Sequence, residues 1–205
     1  TTVDSSAFFG CTKLTFAKGA LSNVTTVNGS AFNGCTSITS LDFLDLSKIK
    51  FTTASSSAFA NTGLVSVVWN VAEGSVLPAS MFQGCTSLQS FVILEDARAN
   101  TTELYSSVFY GCKALTKADI DFSRYPNFGS NGSNFFYNTG LVSVSITLAD
   151  GVTQIPANLF SNCASLTSVK IMGKQINIAQ ANAFANCPLL VSVEVTNTGD
   201  VGTFT

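Results

Sequence analysis

The chain has 205 residues, 46% of them hydrophobic and only 11% charged, enough apolar mass for a continuous core and too little polarity for a disordered segment. Ten basic and twelve acidic side chains are scattered singly for a formal net charge of -2, which excludes the basic footprint that nucleic acid or anionic lipid requires. Histidine is absent, and with it go the commonest general base, the commonest metal ligand and every Ser/His or Cys/His catalytic pairing.

One sentence of sequence repeats along the chain. Phe8, Phe32, Phe59, Phe82, Phe109, Phe136, Phe160 and Phe184 recur at intervals of 24, 27, 23, 27, 27, 24 and 24 residues. Two residues before each stands Ser6, Ser30, Ser57, Ser80, Ser107, Asn134, Asn158 or Asn182, residue types that cap helical turns by accepting from a free backbone N–H. Two residues after each stands Gly10, Gly34, Asn61, Gly84, Gly111, Asn138, Asn162 or Asn186, the types that enter the left-handed conformation most cheaply and so end a turn. The pattern predicts eight short capped helical turns, each too short to be stable alone, with the phenylalanine facing the core.

An apolar motif follows each turn at its first, fourth and sixth positions. It runs Ile38, Leu41, Phe43; Leu64, Val67, Trp69; Leu88, Phe91, Ile93; Leu115, Ala118, Ile120; Leu141, Val144, Ile146; Leu166, Val169, Ile171; and Leu190, Val193, Val195. Alternation at positions four and six is that of a half-buried strand. Strands joined by crossovers of this length must be parallel, and identical coils stack only if each lays its strand beside the last. The expected fold is therefore a solenoid of eight stacked coils with one parallel β-sheet and short helical turns on the other side, roughly 35 to 40 Å long at ~4.8 Å per rung. In the first unit, Leu14-Thr15-Phe16-Ala17 departs from the motif, and the returns after Phe32, Phe82 and Phe109 are longer. No linker breaks the chain, so residues 1–205 read as a single domain.

The string Ser30-Ala31-Phe32-Asn33-Gly34-Cys35-Thr36-Ser37-Ile38-Thr39-Ser40-Leu41, with its variant Ala58-Phe59-Ala60-Asn61-Thr62-Gly63-Leu64, resembles the BspA-like leucine-rich repeats of bacterial and protist surface proteins. The resemblance spans all eight units, residues 3–195. It implies a leucine-rich-repeat solenoid, often part of a longer secreted or surface-attached protein, associated with adhesion to host proteins and other cells. A repeat fold is a scaffold, and its variable positions set the partner.

The six cysteines, Cys11, Cys35, Cys85, Cys112, Cys163 and Cys187, all lie three residues after the repeat phenylalanine, and Thr62 and Thr139 take that place in two units. One structural position explains all of them, and buried unpaired thiols are the expectation. Three disulfides between adjacent pairs, Cys11 with Cys35, Cys85 with Cys112 and Cys163 with Cys187, are the alternative, against which parallel Cβ vectors count. Their spacing contains no CxxC, so no metal site is expected, nor any cofactor.

Outward strand positions supply the first candidate contact surface. Position three is a polar row, Ser40, Ser66, Ser90, Lys117, Ser143, Ser168 and Ser192, whereas position five varies: Asp42, Val68, Val92, Asp119, Ser145, Lys170 and Glu194. Curved repeat arrays commonly bind on this face, which makes Asp42, Asp119, Lys170 and Glu194 candidate contacts. The second candidate is an aromatic ridge on the flank. It would combine Arg124, Tyr125 and Phe128 of the long return with Arg98 of the neighbouring segment and with Tyr110 and Tyr137 on consecutive coils, since exposed aromatics and arginine dominate binding hot spots. Phe122 and Phe128 turning inward over the sheet edge is the competing arrangement. Asp119 and Asp121, two apart, have the spacing of an acid pair on one strand face, but nothing around them marks a cleft, and ordinary solvated carboxylates are expected. Four triplets, beginning at Asn23, Asn28, Asn100 and Asn131, fit the N-glycosylation acceptor pattern, which matters only in a eukaryotic source.

No apolar run, residues 64–69 included, approaches the ~20 residues of a membrane span, and no charged and apolar leader opens the chain. A signal peptide is expected to be absent or already removed, with both ends trimmed from a longer protein. The expected partners are proteins of the host matrix or of other cell surfaces, with self-association through the uncapped terminal coils. The function expected is a non-enzymatic, protein-binding, adhesin-type module; the alternative is a structural spacer that projects another domain.

Overall fold

The computed structural model of the chain describes residues 1–94, 100–174, 176 and 182–197. In chain order its regular elements are β1 (Thr2–Val3), β2 (Thr26–Val27), 3-10 turns at Leu46–Lys48 and Thr53–Ser55, β3 (Ser66–Trp69), β4 (Ser75–Leu77), β5 (Ser90–Ile93), β6 (Thr101–Leu104) and β7 (Lys117–Asp119). A 3-10 turn at Phe122–Arg124, the single-turn helix α1 (Phe128–Asn131), β8 (Ser143–Thr147), β9 (Ser168–Gly173) and β10 (Ser192–Asn197) follow. Every strand pairing is parallel, as stacked coils require.

The strands that follow the turns form two three-stranded sheets, β3-β5-β7 and β8-β9-β10, rather than one continuous sheet. The first two coils have no strand there; an isolated parallel bridge joins Leu21 to Leu44, and the amides of Gly19 and Leu21 donate to the carbonyls of Asp42 and Phe43. A second row of short strands precedes the turns, β1 with β2 and β4 with β6. Register within the sheets is that of the repeat: Val68 lies beside Val92 and Val92 beside Asp119, while Ser145 lies beside Lys170 and Lys170 beside Glu194.

The turns are continuous where the sheet is not. Alternate residues of each turn donate their N–H to the next coil, as Ser6 to Gly29, Phe8 to Ala31 and Gly10 to Asn33, and the same pattern recurs down the stack among the described residues at 2.7 to 3.2 Å. The intervening amides bond locally three residues back, Ala7 to Asp4 and Phe9 to Ser6 in the first coil. Half of the turn's donors are thus spent on the neighbouring coil and half on the turn itself, which meets the demand that buried amides be paired.

This arrangement corrects the expected helix caps. The residues two before each phenylalanine are not in the extended conformation of an N-cap. Ser6, Ser30, Ser57, Ser80, Ser107, Asn134, Asn158 and Asn182 have φ of 54 to 65°, in the left-handed region. Left-handed residues therefore bracket each phenylalanine on both sides, because those two after it, from Gly10 at 72° to Asn186 at 57°, are also left-handed. The reversal at the first bracket points that residue's N–H along the stack toward the next coil, where a helical turn would have pointed it along its own axis.

The core runs unbroken along the stack. Consecutive repeat phenylalanines lie with ring centroids 5.3 to 6.2 Å apart and interplanar angles of 4 to 13°. Beside them runs the thiol column. The cysteines are unpaired, and each from the second coil onward donates its S–H to the carbonyl of the preceding repeat phenylalanine, Cys35 to Phe8 at 3.0 Å and Cys112 to Phe82 at 3.1 Å. Thr62 and Thr139 donate instead to Phe59 and Phe136 of their own coils and touch the sulfurs of Cys85 and Cys163. Burial pushes the Cys85 and Cys163 thiols up and the Cys112 thiol well above its ordinary range. The one tryptophan, Trp69, is fully buried with its indole N–H on the Thr101 hydroxyl at 3.2 Å. Among the described residues no buried side-chain nitrogen or oxygen lacks a partner.

Candidate binding face

The outward strand rows lie on the strand side, exposed or half-buried, and in register within each three-stranded sheet. Position five holds exposed Val68 in β3 and exposed Asp119 in β7, and between β9 and β10 the Lys170 ammonium meets the Glu194 carboxylate at 3.0 Å. Lys170 holds the Glu194 carboxyl below its usual range, first through the hydrogen bond and then through its charge. Asp42 lies in the second coil, where no strand forms, and accepts a hydrogen bond from the Ser40 hydroxyl at 2.5 Å. It borders an open groove of about 490 Å³ that also takes in Lys18, Asp45, Leu46 and the exposed Val68.

The aromatic ridge is not built. Tyr125 is 1% exposed and Phe128 is 0% exposed, and both lie in the core with Phe122. Phe122, Phe128, Phe135 and Phe136 interlock at centroid distances of 4.5 to 6.1 Å. Each such ring buries roughly 150 to 250 Å², a gain that outweighs any use of the rings at the surface of a coil that must cover a long return. Arg124 does stay outside, its Nε paired with Asp121 at 2.9 Å. Tyr110 and Tyr137 stack face to face, centroids 4.5 Å apart at 1°, half-buried on the turn side of their coils. Arg98 falls outside the described residues. Among the described residues, what remains of the ridge is one ion-paired arginine and one stacked tyrosine pair.

Asp119 and Asp121 do not share a strand face. β7 ends at Asp119, and Asp121 caps the following 3-10 turn by accepting from the amide and the hydroxyl of Ser123. These bonds, with Arg124, hold the Asp121 carboxyl below its usual range, the reverse of what a general acid needs.

The sheet also contains a break that the repeat pattern does not announce. β7 and β8 belong to adjacent coils, which are bonded on the turn side through Phe109 to Phe135 and Gly111 to Tyr137. On the strand side they separate. The rung made elsewhere by Gln89 on Val65, Thr116 on Gln89, Thr167 on Val142 and Val191 on Thr167 is not made between Val142 and Thr116. A slot of about 130 Å³ opens there, with Ala118, Ile120, Phe122, Phe136, Leu141, Val144 and Ile146 as its apolar lining and Thr116, Lys117, Ser143 and Ser145 as its polar one. No sequence reasoning had singled it out. The small Ala118, where β5 has Phe91 and β9 has Val169, is the signal that was available.

Comparison with known proteins agrees with this architecture. The sequence matches the BspA type leucine rich repeat region in six copies, over residues 1–124 and 77–203. The chain belongs to the BspA-type leucine-rich-repeat family. Such repeats are typically non-catalytic protein-interaction modules. No curated protein matches the chain. Among solved structures, a leucine-rich repeat protein from Bacteroides ovatus superposes with a TM-score of 0.52 at 19% identity, covering 96% of this BspA-type chain. The chain spans 59% of that protein's length. A leucine rich cell surface protein from Faecalibacterium prausnitzii matches at 17% identity with a TM-score of 0.39, covering 98% of this chain and 77% of its own. Among the described residues no helix is long and apolar enough to cross a membrane.

Proposed function

We propose that this chain is a recognition segment of a longer secreted or surface-attached protein, a single repeat domain that binds proteins of the host matrix or of other cell surfaces through its strand side. The observation that supports the reading is the position-five row. Core positions stay apolar from coil to coil, whereas Asp42, Val68, Asp119, Ser145 and Lys170 occupy equivalent outward places with acidic, apolar, hydroxyl or basic side chains. A surface held in rigid register and varied in side chain is what a solenoid offers a partner. The family's association with surface proteins supports the location.

The test is a surface plasmon resonance screen of the domain against matrix and host-surface proteins, with an Asp42→Lys, Asp119→Lys, Lys170→Glu triple variant alongside. Saturable binding that the variant loses supports the strand-side reading. Silence across the screen favours the spacer, in which the stack only projects another domain.

A further inference from the structure

The slot between β7 and β8 rests on the strand-side reading and sharpens it. Three observations meet there. First, the core is thinly covered. Position-four residues are buried in the strands on either side, Val67 and Phe91 on one and Val169 on the other, while Ala118 and Val144 flanking the slot are half-buried. Second, the opening reaches the repeat column itself, because Phe136 and the inserted Phe122 form its floor. Third, beside it the amide of Val142 and the carbonyl of Thr116 lack the rung that their counterparts make in the other coils.

The causes lie in the long return. β7 is only three residues because Asp121 starts a 3-10 turn directly after it, and that turn packs against β8. Phe122 wedges under the strands while Ala118 is too small to fill the space above it.

We propose that this slot is an anchor pocket that takes one branched aliphatic side chain, about the size of leucine, from an extended segment of a partner protein. The volume selects the group. An apolar cavity of ~150 Å³ holds one benzene, so about 130 Å³ is room for one leucine or isoleucine side chain. The lining selects its chemistry, because hydrocarbon meets hydrocarbon below a rim of hydroxyls and Lys117. The unmade rung selects the backbone, because an extended segment presents the carbonyl and amide that Val142 and Thr116 lack, as in strand addition to a sheet edge. A buried side chain in a pocket ringed by polar groups is also the usual form of an interface hot spot.

The experiment is methyl NMR of the full chain titrated with N-acetyl-leucinamide, with N-acetyl-glycinamide as control. Saturable shifts of the Leu141, Val144 and Ile146 methyls with the leucine probe alone are expected. Ala118→Phe, which copies Phe91 of the preceding coil, should abolish them, and Ala118→Val should weaken them at least tenfold if the larger ring disturbs folding. Shifts dispersed over the surface, or shifts that survive both substitutions, overturn the pocket. So does a chain that captures a partner protein on its strand side yet shows no methyl shift with the probe, an outcome that leaves the broader reading standing. Conversely, slot-specific shifts together with silence in the protein screen support the pocket while the adhesin-type reading fails.

Discussion

The two sides of the stack obey different rules. On the turn side every coil is bonded to the next through the same alternate amides, and the phenylalanine, the left-handed bracket and the thiol or hydroxyl recur in each unit. On the strand side the first two coils have no strand and the remaining six divide into two triplets. The turn side therefore fixes the rise and direction of the solenoid. That leaves the strand side free to lose a rung, open a slot or change a charge without the coils coming apart. A binding surface tolerates variation best when something else holds the register.

Substitutions can break this comparison directly. Phe109→Ala, in the middle of the stacked column, is expected to cost about 3 to 5 kcal/mol, read as a fall in the urea midpoint. Val68→Ala on the strand side should stay within about 0.5 kcal/mol. Equal losses would mean that the strand side holds the stack as firmly as the turns do.

Tyr125→Ala or Phe128→Ala should also cost about 3 to 5 kcal/mol, because these rings are core. Arg124→Ala should change stability by less than about 1 kcal/mol, as for a surface ion pair. A variant at Tyr125 that unfolds normally but loses a partner would restore the aromatic ridge.

The left-handed brackets give a finer test. Asn162, with φ of 61°, should tolerate glycine within a few tenths of a kcal/mol but lose about 1 to 3 kcal/mol as valine, whose branched side chain is strained in that region. Differential scanning calorimetry of the two variants separates backbone conformation from contact.

The thiol column predicts a one-sided pH dependence. Folded pKa values of Cys85, Cys112 and Cys163 lie above their unfolded values, so on raising the pH the unfolded chain releases these protons first. Their contribution is complete below about pH 8.5 and is lost progressively above it. Urea midpoints at pH 7 and pH 10 should show the fall, and Cys112→Thr, which copies the threonine rungs, should reduce it. The smallest effect belongs to the strand-side ion pair: Lys170→Ala should leave the urea midpoint unmoved, the pair being exposed.

The fold was legible because the repeat supplied its own register. Eight copies of Phe with Gly or Asn two residues later identify a turn whatever its neighbours do. The left-handed serines were not legible, because serine is an ordinary N-cap and only Asn134, Asn158 and Asn182 at the same position hinted otherwise. The long return after β7 was opaque for a related reason. Its counterpart in the second coil, Asp45-Leu46-Ser47-Lys48-Ile49, has the same 3-10 turn and ion pair with Ile49 and Phe51 buried, but its aliphatic Leu46 and Ile49 stand where this return has Phe122 and Tyr125, and aromatics beside an arginine also suit an exposed contact. The strand-side rows were legible as rows, while the slot depends on a single alanine and on what lies two coils' width around it.

The turn-side hydrogen bonds all run one way. In every coil the amides of the turn point toward the later coil and the carbonyls toward the earlier one, and peptide dipoles of ~3.5 D aligned in this way add along the axis as they do in a helix. Strand dipoles in the sheets contribute little, because they largely cancel. The solenoid is thus electrically polar along its length although its formal charge is only -2. Its amide-rich, positive pole lies toward the last coil, the opposite sense from an α-helix read in chain direction, and each added coil lengthens that dipole by one step.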